Sequence, residues 1–146
     1  MATITVTSLD DNTTSGDGFI TLREAIQAAN TNSPVDGSVA GDSGADIIEF
    51  DSGLTGILTL NGTELSISEE LTLSGPGATN LTINADGKSR VINVTADVLL
   101  TVEGLKLTGG KTTGTDDGAG IYSKGDVTLT DSTVSGNSSK THGGGI

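Results

Sequence analysis

The last 29 residues of this 146-residue chain spell one unit and then begin it again. Gly118-Ala119-Gly120-Ile121-Tyr122-Ser123 leads to Val127-Thr128-Leu129-Thr130 and then to Thr133-Val134-Ser135-Gly136-Asn137. After a polar turn the pattern restarts at Gly143-Gly144-Gly145-Ile146, 25 residues after Gly118. The unit is three short strands with tight polar corners, one circuit of a coil. A period of roughly 20 to 50 residues marks a solenoid, in which each repeat buries its apolar edge only by stacking on the next. Gly109-Gly110 and Gly136-Asn137 punctuate equivalent points 27 residues apart. The restart at Gly143 predicts that the chain is a portion of a longer coil.

Composition agrees. Aromatic residues make up only 2% of the chain, so Val, Ile, Leu and Thr must do the packing. Twenty-two glycines against two prolines, with no Gly-X-Y period, exclude collagen and fit corner-rich β-structure. The formal charge of −12 argues against nucleic acid and against an anionic membrane surface, both of which demand a basic patch, and it favours solubility. No cysteine is present, so no disulfide is needed. No apolar run is long enough to span a bilayer, and membrane insertion is not expected.

Thr3-Ile4-Thr5-Val6-Thr7 alternates with period two and reads as a half-buried strand. Residues 21–30 form the one convincing helix, with Leu22, Ala25, Ile26 and Ala29 on a single face. Thr21 and Glu24 make a capping box at its start. A polar loop, expected to be too polar to pack, runs from Asn30 to Gly44. From Asp46 onward strands of four or five residues alternate with turn chemistry such as Asn61-Gly62 and Gly75-Pro76-Gly77. An antiparallel sandwich also gives short alternating strands, but the fixed spacing of the unit favours a coil. The expected class is all-β, a right-handed parallel β-helix with an N-terminal capping α-helix. Residues 1–45 form the strand, helix and loop of the cap, and residues 46–146 form the coils. Thr21, Leu22, Glu24 and Ile26 are the expected cap residues. The C-terminal coil end lacks such a lid. The last ten or so residues are therefore expected to be disordered or pinned by a second copy, with two-fold self-association through that end.

Ile4-Thr5-Val6-Thr7, then Asp17-Gly18, then the run from Thr21 to Asn30 resembles the CSLREA domain, which opens bacterial extracellular β-helix proteins. The naming hexapeptide falls on Ile20-Thr21-Leu22-Arg23-Glu24-Ala25, with Ile for the family's Cys and Thr for its Ser. Leu71-Thr72-Leu73-Ser74-Gly75-Pro76-Gly77 and the paired Gly118 and Gly143 segments are similar to the coils that follow this domain. They also resemble the repeats of polymorphic outer-membrane proteins and related adhesins. The resemblance implies a secreted or cell-surface bacterial protein.

Motifs that carry chemistry are few. Asp17-Gly18, with Glu24 six residues after the glycine, matches the second half of a calcium loop, and Asp11 could add oxygens from a longer loop. The first half fails, because Thr13 and Ser15 stand where carboxylates should. The turn-and-cap reading of Asp17 and Glu24 is favoured, and no cofactor is expected. Asp116-Asp117 near Lys111 suggests a polysaccharide lyase or hydrolase, yet no second carboxylate cluster is in sight and Arg90 reads as isolated. His142 is the single histidine and reads as a surface residue. Recurrent Thr-x-Thr suggests a water-ordering ladder, but the strands vary too much from coil to coil, and Thr is a favoured outward strand residue. The expected function is a non-enzymatic structural or adhesive module, the capped start of a surface β-helix, with a glycan or surface partner for the parent protein. The alternative is the start of a polysaccharide-binding or polysaccharide-degrading β-helix whose groove lies outside this chain.

Overall fold

The computed structural model describes residues 1–146. Its elements are β1 (Thr3–Val6), α1 (Leu22–Thr31), β2 (Asp46–Phe50), β3 (Gly56–Thr59), β4 (Leu65–Ile67), β5 (Leu71–Ser74), β6 (Leu81–Asn84), β7 (Ile92–Val94), β8 (Leu100–Glu103), β9 (Lys106–Thr108), β10 (Ile121–Ser123), β11 (Val127–Thr130) and β12 (Thr133–Val134). All strand pairs are parallel. They form three sheets, ordered β1-β2-β5-β8-β11, β3-β6-β9-β12 and β4-β7-β10. Each circuit visits each sheet once, as β2–β3–β4, β5–β6–β7 and β8–β9–β10, before β11 and β12 open another. The chain is a parallel β-helix of about three turns with a helical cap. No helix is long and apolar enough to cross a membrane.

The alternation of side chains along each strand sets the inside. Ile48, Leu73 and Val102 stack in register in one inward column, and all three are fully buried. Leu58, Ile83 and Leu107 do the same in the second sheet, and Leu65, Ile92 and Ile121 in the third. Fully burying one such side chain stabilises the fold by about 1.5–3 kcal/mol. Successive coils touch backbone to backbone at one corner. A Cβ added at Gly75 would stand 2.6 Å from the carbonyl oxygen of Gly104 in the next circuit. Any side chain there would push the rungs apart.

The helix lies over the first end of the core. Leu22, Ala25, Ile26 and Ala29 are buried in the same hydrophobic cluster as the coil residues, so one core runs through both sequence regions. The loop after the helix is not free, contrary to the expectation from its polarity. Gly41 N–H donates to Ala28 O at 3.2 Å, and Val35 packs against the core. A Cβ at Gly41 would lie 2.7 Å from Ala29 Cα, and that closeness is what lets a polar loop return over the helix. Buried Asp46 then ties the loop to β1, accepting from Ala2 N–H at 2.8 Å and Asp42 N–H at 3.0 Å.

The tail also departs from expectation. In place of disorder, it lies on its own preceding coil. Ala119, Gly120 and Ile121 N–H donate to the carbonyls of Gly143, Gly144 and Gly145 at 3.1, 3.1 and 2.8 Å. The physical reason is the unmet backbone donors of the Ala119–Ile121 segment, which need a partner whether or not a second molecule is present.

Candidate functional site

Two groups of polar side chains converge in this structure. The first joins helix to coil. Thr21 is the N-cap, and its hydroxyl accepts from Glu24 N–H at 3.2 Å while Glu24 Oε2 accepts from Thr21 N–H at 2.9 Å. Arg23, on the position before Glu24, binds Asp11 through two donors, Nε to Oδ1 at 2.7 Å and Nη2 to Oδ2 at 2.9 Å. The same guanidinium donates to Glu64 O at 3.0 Å and Thr63 O at 2.8 Å. Asp11 Oδ2 also accepts from Asn61 N–H at 2.7 Å. Seven residues along the helix, Asn30 donates to Ser66 O and accepts from Ser68 N–H, each at 2.9 Å. Arg23 and Asn30 thus satisfy the outer edge of the segment around β4 as a further strand would. Edge strands are normally a pairing hazard, and this one is covered by side chains.

These contacts place the calcium candidates apart. Asp11 is buried against Arg23, Glu24 is committed through Oε2 to the cap, and exposed Asp17 closes a local turn by accepting from Phe19 N–H at 2.9 Å. No group of three or more His, Asp or Glu side chains is gathered as metal ligands would be. Leu22 and Ile26 sit in the core as the cap requires.

The second group lies on the corner between the second and third sheets. Arg90 is not isolated, as its sequence neighbours suggested. Its Nη1 donates to Glu64 Oε2 at 3.3 Å, its Nε donates to Asp117 O at 2.9 Å, and Asp116 Oδ1 stands 3.9 Å from Nη2. Its guanidinium also lies over the Tyr122 ring, 4.9 Å from the centroid, a cation–π contact. Asn93 Nδ2 donates to the other oxygen of Glu64 at 2.7 Å. Asp116 therefore does have a second carboxylate in its neighbourhood, two circuits back and on the other side of Arg90. The partners were missed because they are far apart in sequence. Their spacing was the available signal, since Glu64 to Arg90 and Arg90 to Asp117 are each about one coil period.

Further along the same corner, Asp117 holds the tail. Its carboxylate accepts from the Thr141 hydroxyl and from His142 N–H at 3.0 Å. The Thr141 hydrogen bond is the main reason its pKa lies below the usual carboxylate value; partial burial opposes that, and the His142 N–H adds to it. The His142 ring is exposed, with Nδ1 3.5 Å from Asp117. A groove of about 510 Å³ between β10, Val127 and Ile146 follows the edge of β10 beyond Ile121, where the tail no longer pairs with it.

The outer face of the five-stranded sheet carries two columns. Thr3, Ile47, Thr72, Thr101 and Thr128 form one, and Thr5, Glu49, Ser74, Glu103 and Thr130 form the other. The first is closer to a threonine ladder than the sequence suggested, but the second alternates hydroxyls with glutamates.

Comparisons with protein-family models, with curated proteins and with solved structures find no match.

Proposed function

We propose that this chain is the capped start of a bacterial secreted or cell-surface β-helix that works as a structural and adhesive module. The observation that carries the reading is the division of labour within each strand. Inward positions form one continuous apolar core, while outward positions and corners carry hydroxyl, amide and charged groups of varied identity. A rod built this way holds its backbone by stacking and leaves its outer surface to binding. The resemblance of residues 3–30 to the CSLREA domain supports an extracellular setting. Mechanism in this reading is mechanical display, and no covalent chemistry is assigned.

A glycan array probed with the chain, together with attachment of coated beads to bacterial and host-cell surfaces, tests it. Saturable binding to a defined surface is expected. Turnover of a uronate polymer in an absorbance assay for unsaturated product would replace adhesion with lyase chemistry. The second reading, a polysaccharide-binding coil, is favoured by one observation. The corner around Arg90 is a polar cleft with charged groups from three successive circuits.

A further inference from the structure

Three of the chain's seven basic residues, Lys88, Arg90 and Lys111, line that corner cleft of about 310 Å³. In a chain of charge −12 this is a local concentration of cations, set against the carboxylates of Glu64 and Asp116. None of the lining residues is hydrophobic, and Thr63 and Ser89 line the same space. The cationic groups differ in what they already hold. Lys88 is paired with Asp86 at 2.9 Å. Arg90, whose side chain is only 16% exposed, is fixed by Glu64, the Asp117 carbonyl and Tyr122. Its Nη2 donates no hydrogen bond within the chain and has Asp116 no nearer than 3.9 Å. Lys111 has no ion-pair partner. Two positively charged donors, one rigidly oriented, are therefore free to meet an anion. Planar guanidinium groups suit carboxylates in particular.

The carboxylates of Glu64 and Asp116 narrow the choice of ligand. They repel a compact anion such as sulfate, but they accept hydrogen bonds from a ligand that also bears hydroxyls. We infer that this cleft binds a carboxylate-bearing sugar, a uronate unit of an acidic polysaccharide. The sugar carboxylate meets Arg90 Nη2 and Lys111, and its hydroxyls donate to Glu64 and Asp116. Glu64, Arg90 and Asp116 come from successive circuits, so neighbouring sugars would run along the stacking direction. The inference rests on the display reading above and names one ligand class for it.

The test titrates the whole chain with trigalacturonate by calorimetry and by amide chemical shifts. The fully methyl-esterified trisaccharide and sodium sulfate serve as comparators. Binding should shift amides at 63–64, 88–90 and 111–116, and weaken with added salt. The ester and Lys111→Glu should each bind about tenfold more weakly or worse, the scale of one charge-assisted contact. Lys111 is exposed and unpaired, so an unchanged circular dichroism melt is expected for the variant. Equal affinity for the ester, or an unaltered Lys111→Glu isotherm, would overturn the site. Sulfate competing as well as the uronate would reduce it to a general anion patch and overturn the sugar assignment. Array binding that survives Lys111→Glu would remove this cleft and leave the adhesive reading standing, whereas no glycan or surface binding at all would remove both.

Discussion

The two ends of the coil meet the same physical problem and differ in how it is solved. At the first end, α1 lays Leu22 and Ile26 on the core, and its polar side chains serve the backbone of the neighbouring edge. At the other end β11 and β12 have no such cover, and Leu129, which continues the Ile48–Leu73–Val102 column, is 37% exposed. The contrast teaches that a cap has two separate duties. It must cover apolar side chains, and it must supply partners for backbone groups. The first end is covered even at β3, the outermost strand of its sheet, where inward Leu58 is fully buried and only outward-facing Ile57 is exposed.

The largest effect expected from breaking this comparison comes from the same residue type at the two ends. Leu22→Asp places a charge in the core and leaves a void, and should destabilise by about 4 kcal/mol or more. Leu129→Lys should cost less than about 1 kcal/mol, as most exposed substitutions do. Urea melts of both variants check the pair, and equal losses would mean that the ends are equivalent.

Arg23→Met tests the polar duty of the cap without uncovering the core. It keeps most of the apolar stem but strands buried Asp11 and two carbonyls, for a loss of about 3–5 kcal/mol. A double-mutant cycle with Asp11→Asn should recover part of that loss. Asn30→Ala removes a smaller share, about 1 kcal/mol, because the Ser66 and Ser68 backbone groups lie where water can replace it.

The smallest effect is at the far corner and depends on pH. Asp117 has its pKa lowered by Thr141 in the folded chain, so its contribution is present above the unfolded carboxylate value, about 3.9. It is lost as pH falls through the lower folded value. Hydrogen exchange at Thr141 and His142 should therefore lose protection in acid before the amides of β5 and β8 do. Thr141→Val should remove that difference.

Much of the fold was legible because a coil writes its geometry into its spacing. The Gly118-to-Gly143 restart and the Gly110–Asn137 correspondence both appear as contacts, the latter as a hydrogen bond from Gly110 N–H to Asn137 Oδ1 at 2.8 Å. Thr21 and Glu24 were legible because capping is local. Arg23 and Arg90 were not, because their partners stand 12 to 41 residues away. Periodicity tells which residues are one circuit apart but not which corner a long side chain reaches. The packing of the 32–45 loop was hidden for a related reason, since it depends on backbone contact at Gly41 and leaves no apolar pattern.

The corners between the second and third sheets lengthen along the chain, from residues 60–64 to 85–91 to 109–120, while the strands beside them remain three or four residues long. Chain length is thus absorbed sideways, and the rise from rung to rung does not change. Insertions at that corner add outward bulk without disturbing the register above or below. For evolution this makes the corner a place where new sequence can be tried at little risk to folding. For an engineer the exposed middle of the last corner, residues 113–116, is a ready position for grafting a foreign loop on a rigid support.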